Sequence, residues 1–258
     1  MQSESHAELY RSDCLDVLNE LPSDSIRLAY LDPPFFTQKS HVLRTRDRKR
    51  EFSFDDVWDS NHDYFRFLQE RLAEIYRVLD RTGALFFHCD RNATHLVRIL
   101  LDELFGAAQF RSEIIWSYRR WSNSKRGLLP SHQTIYYYTK TNTFTFNRIW
   151  EDYSPSTNVD QILQQRARDE YGKAVYKRDD SGEVVANGAK KGVPLSDVWD
   201  IPYLNPKAKE RTGYPTQKPL LLLERIIRLA TDEGDVVLDP FCGSGTTLVA
   251  AKLLSRNA

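Results

Sequence analysis

Apolar positions recur with two different periods along this chain. Ile26 to Leu31 (IRLAYL) is a short, mainly apolar run that stops at Asp32-Pro33-Pro34. Proline cannot continue a central strand, so the pattern predicts a strand that ends there. From Asn61 to Asp80 the spacing lengthens to three and four, and Phe65, Leu68, Leu72, Ile75 and Leu79 fall on one helical face. Gly83 reads as the stop after that helix. Ala84 to His88 reads as a buried strand. Asn92 is placed to cap a second helix with Leu96, Ile99, Leu100 and Leu104 facing inward. Ser112–Ser117 and Gln133–Thr139, rich in β-branched and aromatic residues, read as two more strands. Pro219 suits a first helical position, and that helix runs to about Thr231. Asp235–Asp239 predicts another short buried strand, and Thr246–Leu254 a last helix. Strands alternate with helices, so the class is α/β with a mostly parallel central sheet. From Phe144 to Leu204 the periodicity weakens. The turn signals Asp180-Ser181-Gly182 and Asn187-Gly188 appear there, so this stretch reads as a small inserted module. The expected division is therefore 1–143, 144–204 and 205–258.

Composition narrows the function without naming it. The 258 residues are 41% hydrophobic, which allows a sizeable core, and Lys+Arg and Asp+Glu are both 36. A net charge of zero argues against a histone-like binder or a polybasic membrane-surface protein, but local patches can still steer a nucleic acid. No apolar run approaches the roughly 18 residues of a membrane helix, and the start MQSESHAELY has no secretory pattern. A cytoplasmic protein with no membrane association is expected. Cys14, Cys89 and Cys242 are far apart with no CxxC spacing, so neither a disulfide framework nor a metal site is expected. Each sits within or beside an expected strand, as small buried hydrophobes do.

Two short motifs carry chemistry. Asp239-Pro240-Phe241-Cys242-Gly243-Ser244-Gly245-Thr246 follows a strand and opens a helix, where open α/β sheets bind ligands. It lacks the Lys-Ser/Thr of a phosphate loop and the third glycine of a dinucleotide fingerprint. Asp239 would repel a pyrophosphate and suits a cationic ligand such as an amine or a sulfonium. Asp32-Pro33-Pro34-Phe35 sets a carboxylate beside a rigidly held carbonyl, with an aromatic ring close by. Two acceptors match a planar NH2, and the ring can stack on a flat base bearing it.

Together these motifs resemble the amino-group DNA methyltransferases. Their catalytic motif is Asp/Asn/Ser-Pro-Pro-Tyr/Phe and their cofactor loop Phe-x-Gly-x-Gly. Here the catalytic motif comes first and Phe241-Cys242-Gly243-Ser244-Gly245 last, which is similar to the permuted β group. Thr216-Gln217-Lys218-Pro219 looks like the family's segment bordering the cofactor. Ser12-Asp13-Cys14 resembles its adenine-ring contact. The resemblance implies a Rossmann-like methyltransferase fold, mostly parallel with an antiparallel hairpin strand, and with permuted motif order. Its inserted module corresponds to the family's target-recognition region. It implies S-adenosyl-L-methionine as cofactor, held by Asp13, Cys14, Thr216, Gln217, Lys218 and residues Asp239 to Thr246. It implies direct methyl transfer to a flipped-out base amine, with Asp32, Pro33, Pro34 and Phe35 catalytic and no metal. Adenine N6 is the preferred target. Cytosine N4, or a catalytically inactive DNA-binding module of the same fold, are the alternatives.

Double-stranded DNA is the expected partner. Arg44, Arg46, Arg48, Lys49 and Arg50 follow the catalytic turn, and Arg119, Arg120 and Trp121 form a second patch. The family context leaves open a homodimer and a partner restriction endonuclease. One departure stands out. The family continues after the glycine loop with a strand ending in an acidic ribose ligand, lying between the Asp235–Asp239 strand and an N-terminal Glu8–Arg11 strand. This chain ends at Ala258, at what reads as the helix end. The expectation is a shortened reading of a longer protein, without that strand and with weak cofactor binding or none.

Overall fold

Strand β1 (Ile26–Leu31) is where the chain's two chemical motifs become neighbours. It lies between two parallel partners, β4 (Leu79–Cys89) on one side and β12 (Val237–Leu238) on the other. The computed structural model describes residues 5–44, 51–119, 127–153, 163–186, 192–205, 208–214 and 216–258. The elements follow in chain order. They are α1 (Cys14–Glu20), β1, the hairpin β2 (Lys39–Arg44) and β3 (Glu51–Asp56), α2 (Asn61–Val78), β4, α3 (Thr94–Phe105), β5 (Phe110–Ser117) and β6 (His132–Thr139). Then come the short strands β7 (Trp150–Glu151), β8 (Arg166–Arg168), β9 (Ala174–Tyr176) and β10 (Val193–Pro194). Last are β11 (Val198–Asp200), α4 (Leu220–Ala230), β12 and α5 (Thr246–Leu253).

The chain divides into two compact units, Met1–Asn147 with Asp197–Ala258, and Arg148–Ser196. The first is built on a six-stranded sheet in the order β11-β5-β6-β4-β1-β12. Strand β6 runs antiparallel to both its neighbours and the other pairings are parallel, as the mostly parallel expectation had it. Alternation along the strands sends Ala29, Leu31, Leu85, Phe87, Tyr136 and Tyr138 into one core, shared with Leu68, Leu72 and Ile75 of α2 and Val97, Leu100 and Leu101 of α3. The opposite face carries Leu28, Tyr30, Phe86, His88, Ile135 and Tyr137. Helix α4 buries Leu222, Leu223, Ile226 and Ile227 and contacts β1 and β4. Arg77 closes the end of α1 by donating to the carbonyls of Leu18 and Leu21 at 2.8 and 2.9 Å, a favourable place for a cation.

Several boundaries differ from the pattern. Gly83 lies inside β4 rather than after a helix, and α2, which starts at Asn61 as the spacing has it, is capped by Ser60. A Cβ on Gly83 would sit 3.0–3.1 Å from the carbonyl oxygens of Asp80, Arg27 and Ile26, so the close strand approach requires glycine there. Helix α3 starts after Ala93 with no side-chain cap, while the Asn92 amides donate to Asp90. The buried stripe is Val97, Leu100, Leu101 and Phe105, one residue on from the expected one, and Ile99 is left 54% exposed. Cys14 opens a helix rather than flanking a strand. The residues after the catalytic turn form the β2–β3 hairpin rather than a plain loop.

The termini also differ. Residues Glu8–Arg11 form no strand; Glu8 N donates to Ala258 O at 2.8 Å and Ala258 N to His6 O at 3.0 Å. The end of the sequence is not the end of a helix. Helix α5 stops at Leu253, the buried Arg256 guanidinium bonds Thr231 and Leu254, and Asn257 bridges Val236 in parallel. Asn257 and Ala258 therefore occupy the lane beside β12 where the further strand was expected to be missing.

In the second unit, β8 and β9 form an antiparallel hairpin and β7 pairs with β10. Two turns repeat one device: Asp169 accepts from Tyr171 N and Lys173 N, and Asp179 from Ser181 N and Glu183 N. Asp180-Ser181-Gly182 is thus a turn as expected, while Asn187-Gly188 lies outside the described residues.

Candidate active site

Continuing the parallel register by one step puts Asp239 level with Tyr30 across β1–β12, and Asp32 level with His88 across β1–β4. The catalytic-motif carboxylate and the glycine-loop carboxylate therefore emerge side by side at the carboxyl ends of adjacent strands, where α/β sheets bind ligands. Motifs about two hundred residues apart in the chain line one cavity of about 360 Å³. Its wall includes Asp32, Phe35, Tyr214, Lys218, Asp239 and Gly243. Pro33, Pro34, Thr216, Gln217, Phe241, Cys242, Ser244 and Thr246 also lie on it.

Asp32 is held unevenly. Its Oδ2 accepts from the Lys218 ammonium in a close ion pair, while its Oδ1 is buried without a hydrogen-bond partner. His88 Nδ1 lies 3.6 Å from Oδ1. His88 does not serve as its donor, because Tyr30 OH lies 2.9 Å from that nitrogen and Gln133 Oε1 lies 3.0 Å from Nε2. The amide oxygen takes the Nε2 hydrogen, so Nδ1 accepts from Tyr30 and the ring is neutral. Burial, with the nearby Lys218 charge, pushes the His88 pKa well below its usual value. Burial raises the Asp32 pKa, and Lys218 pulls it back only in part. The result is a buried acceptor oxygen, on a residue that lines the cavity, with no donor among the described residues, a costly arrangement that a ligand N–H would relieve. The Phe35 ring lies beside it, 5.5 Å from the His88 ring, with the Lys218 ammonium 5.3 Å from its centroid.

The glycine loop is built around Asp239. Its Oδ1 accepts from Phe241 N at 3.0 Å and its Oδ2 from Thr247 Oγ1 at 2.5 Å. Burial raises its pKa to about 7, and the Asp32 charge adds to the effect. Gly243 and Gly245 hold φ of +50° and +76°, the left-handed region that bulky side chains disfavour. A side chain on Gly243 would also meet the Tyr214 ring at 3.3 Å. A second cavity of about 330 Å³ meets the first at Asp239 and Cys242, and takes in Cys14, Pro240 and Leu238. Asp13 caps α1 through Leu15 N and is gripped by Arg71, whose Nη2 lies 2.8 and 2.9 Å from its two oxygens. Burial raises the thiol pKa of Cys14, Cys89 and Cys242, which suits none of them to nucleophilic attack.

Sequence reasoning missed Tyr30, His88, Gln133, Arg71 and Asp56. Lys218, expected beside the cofactor, lies on the cavity wall and pairs with Asp32. The Gln217 side chain turns into its own loop, bonding Thr212 and the Glu210 carbonyl. Of the two basic patches, Arg46, Arg48, Lys49, Arg50, Arg120 and Trp121 lie outside the described residues, as does the Arg44 side chain, while Arg119 is exposed. Among the described residues no His, Cys, Asp or Glu cluster is grouped to hold a metal, and no helix is long and apolar enough to cross a membrane.

A parallel-centred sheet with two carboxylate-ended strands, a proline-rigid turn and a glycine loop defines a methyltransferase-type α/β site. The N6/N4 DNA methylase family model matches residues 26–258, and the chain belongs to that family. It is 31% identical over 247 residues to the type II methyltransferase M.HpaI of Haemophilus parainfluenzae, covering 95% of this chain and 67% of that protein. The chain spans 52% of the length of one other relative and 89% of another. The cytosine-N4-specific PvuII DNA methyltransferase superposes with a TM-score of 0.62 at 17% identity, over 99% of this chain and 81% of its own. The M1.HpyAVI–SAM complex gives 0.55 at 20%, over 97% and 90%. Both likenesses confirm the Rossmann-like methyltransferase fold.

Lys218 offers a direct test of this electrostatic picture. Lys218→Met keeps most of the aliphatic stem and removes the charge that holds Asp32 down. The Asp32 carboxyl should then titrate at higher pH than in the wild type when followed by carbon-13 NMR. An unchanged titration would contradict the pairing.

Proposed function

We propose that this chain transfers a methyl group from S-adenosyl-L-methionine to the N6 amine of a flipped-out adenine in double-stranded DNA, as a site-specific type II modification enzyme. The observation that carries this reading is the buried, partnerless Oδ1 of Asp32, beside the Phe35 ring in the cavity that also holds Asp239. The residues present suit the cofactor: two buried carboxylates, Asp32 with one unpartnered oxygen and Asp239 raised by burial, favour a cation, and a left-handed glycine loop allows close backbone approach. Asp239, Phe241, Cys242, Gly243, Ser244 and Thr246 would hold it, with Cys14 at the second cavity and Asp13 beside it in the chain, held by Arg71. When bound, the cofactor supplies an electrophilic methyl group on a positively charged sulfur.

The protein's own part is to make the amine a better nucleophile. An exocyclic amine lends its lone pair to the ring. Asp32 Oδ1 and the Pro33 carbonyl accept its two N–H hydrogens and favour a pyramidal nitrogen. They are acceptors set in place before positive charge develops. Phe35 stacks on the base, which must leave the duplex to reach this depth. The nitrogen sheds one proton as it gains a methyl group. Asp32, with its raised pKa, is placed to hold that proton. The acidic head of the Asp-Pro-Pro-Phe turn supports adenine over cytosine, in line with the family resemblance. The test is to incubate the chain with DNA and S-adenosyl-L-methionine, digest to nucleosides and separate them. N6-methyladenine is expected. N4-methylcytosine would move the target to the other amine, and neither product would replace the enzyme with a binding module.

A further inference from the structure

The catalytic turn is held in place by a residue outside the motif. Asp56, at the base of the β2–β3 hairpin, is 1% exposed. Its Oδ2 accepts from Phe35 N at 3.1 Å, Thr37 N at 2.8 Å and Thr37 Oγ1 at 2.6 Å. Its Oδ1 accepts from Phe36 N at 2.9 Å and Trp58 Nε1 at 3.0 Å. Three successive backbone amides thus converge on one side chain, an arrangement that favours an anion. All five groups are donors, so a carboxylate fits and an amide does not. The turn needs the restraint. Phe36 and Gln38 hold φ of +60° and +56°, a region that bulky residues rarely enter unless the surroundings impose it. The Gln38 side chain adds a brace, exchanging two hydrogen bonds of 3.0 Å with the Trp58 backbone. Tyr64 OH ties the turn from the other side, donating to Pro34 O at 2.9 Å.

We propose that Asp56 is a positioning residue for methyl transfer. By gathering the amides of Phe35, Phe36 and Thr37 it fixes the Phe35 ring against Asp32, and so sets where the target base stacks relative to the acceptor oxygen. This rests on the amine-methylation reading above. Asp56 acts through the turn and does not itself meet the amine.

The experiment uses the full chain with S-adenosyl-L-methionine and a duplex that the wild type methylates. In Asp56→Asn an amide NH2 must face at least two of the five donors, so the turn loosens. The single-turnover rate should fall about 100-fold, the cost typical of a reacting group misplaced by an ångström or so. Cofactor affinity by calorimetry should stay within about threefold of wild type, because the glycine loop is untouched. Thr37→Val and Trp58→Phe each remove one side-chain donor and leave the carboxylate. Each should lower the rate severalfold with unchanged cofactor affinity. Should Asp56→Asn fail to fold, these two variants decide. Wild-type rates in the folded variants would overturn the proposal. A uniform loss of cofactor binding with rate would also overturn it, in favour of general structural support. A wild type that methylates no DNA would instead remove the reading on which it rests.

Discussion

Asp32→Ala is expected to lower methyl transfer to DNA by about 100- to 1,000-fold, the scale on which losing one preorganised electrostatic contact acts. The alanine removes the acceptor oxygen that has no other partner among the described residues. His88 cannot replace it, because Tyr30 and Gln133 engage both of its nitrogens. The substitution also leaves the Lys218 ammonium, whose side chain is 8% exposed, without its counter-charge and with the Thr216 carbonyl 3.4 Å away. Breaking one side of a buried pair costs about 3–5 kcal/mol. Relief of the carboxylate's own desolvation offsets part of that, so urea unfolding should show a smaller net loss. Two further variants separate chemistry from stability. Asp32→Asn keeps the shape and one acceptor oxygen, and should retain more activity than the alanine. Asp32→Ala with Lys218→Met should regain stability without regaining activity. Radiolabelled methyl incorporation measures the first effect. More than a tenth of wild-type activity in Asp32→Ala would remove this carboxylate from the mechanism.

What the sequence disclosed was whatever is local. The proline turn and the glycine loop each state their geometry within a few residues. The alternation of strand and helix fixed which ends of the strands carry them. The rest of the site is assembled by register. Tyr30, His88 and Gln133 are 45 to 58 residues apart in sequence where they bond one another. In the chain they look like ordinary strand residues. Lys218 meets Asp32 across 186 residues, so its partner could not be read from its own segment. Asp56 was the least legible. In the sequence it stands in an acidic stretch that balances the basic residues before it, the pattern of a solvated surface. Only the fold shows that five donors surround it. The hairpin that carries it was hidden for a related reason: arginines dominate the sequence between the strands, and charge masks the alternation of Phe52 and Phe54. The phase error in α3 has a different cause: apolar residues surround much of the helix, so two stripes one residue apart, about 100° round the axis, fit the sequence, and only packing on the sheet selects Val97, Leu100, Leu101 and Phe105.

Asp239→Asn is expected to make the ligand-free protein more stable at pH 8 and its hold on the cofactor weaker, two effects from one buried charge. Burial, with Asp32 close by, lifts the Asp239 pKa from an ordinary carboxylate value to about 7. A carboxyl that binds its proton more tightly when folded favours folding at low pH. That contribution is fully present below about pH 4, declines as the unfolded chain ionises first, and is gone above about pH 7. Above that pH the folded protein carries an ionised group it would rather not bury, at a cost of roughly 4 kcal/mol at most. Asparagine removes the charge and keeps the bonds. Its oxygen can take the Phe241 amide and its NH2 can face the Thr247 hydroxyl, which is free to turn and accept. Thermal unfolding should therefore show the variant ahead of wild type at pH 8 and level with it near pH 4. Cofactor binding runs the other way, because the ionised carboxylate is what attracts a cationic ligand. Wild-type affinity for S-adenosyl-L-methionine should rise with pH through about 7. The variant should bind about tenfold more weakly or worse at pH 8, a loss of about 1.4 kcal/mol, with little pH dependence. A wild-type affinity that is flat from pH 5.5 to 8.5 would show that Asp239 does not titrate in this range. The variant's stability gain at pH 8 would then have to vanish too, because both effects depend on the same proton.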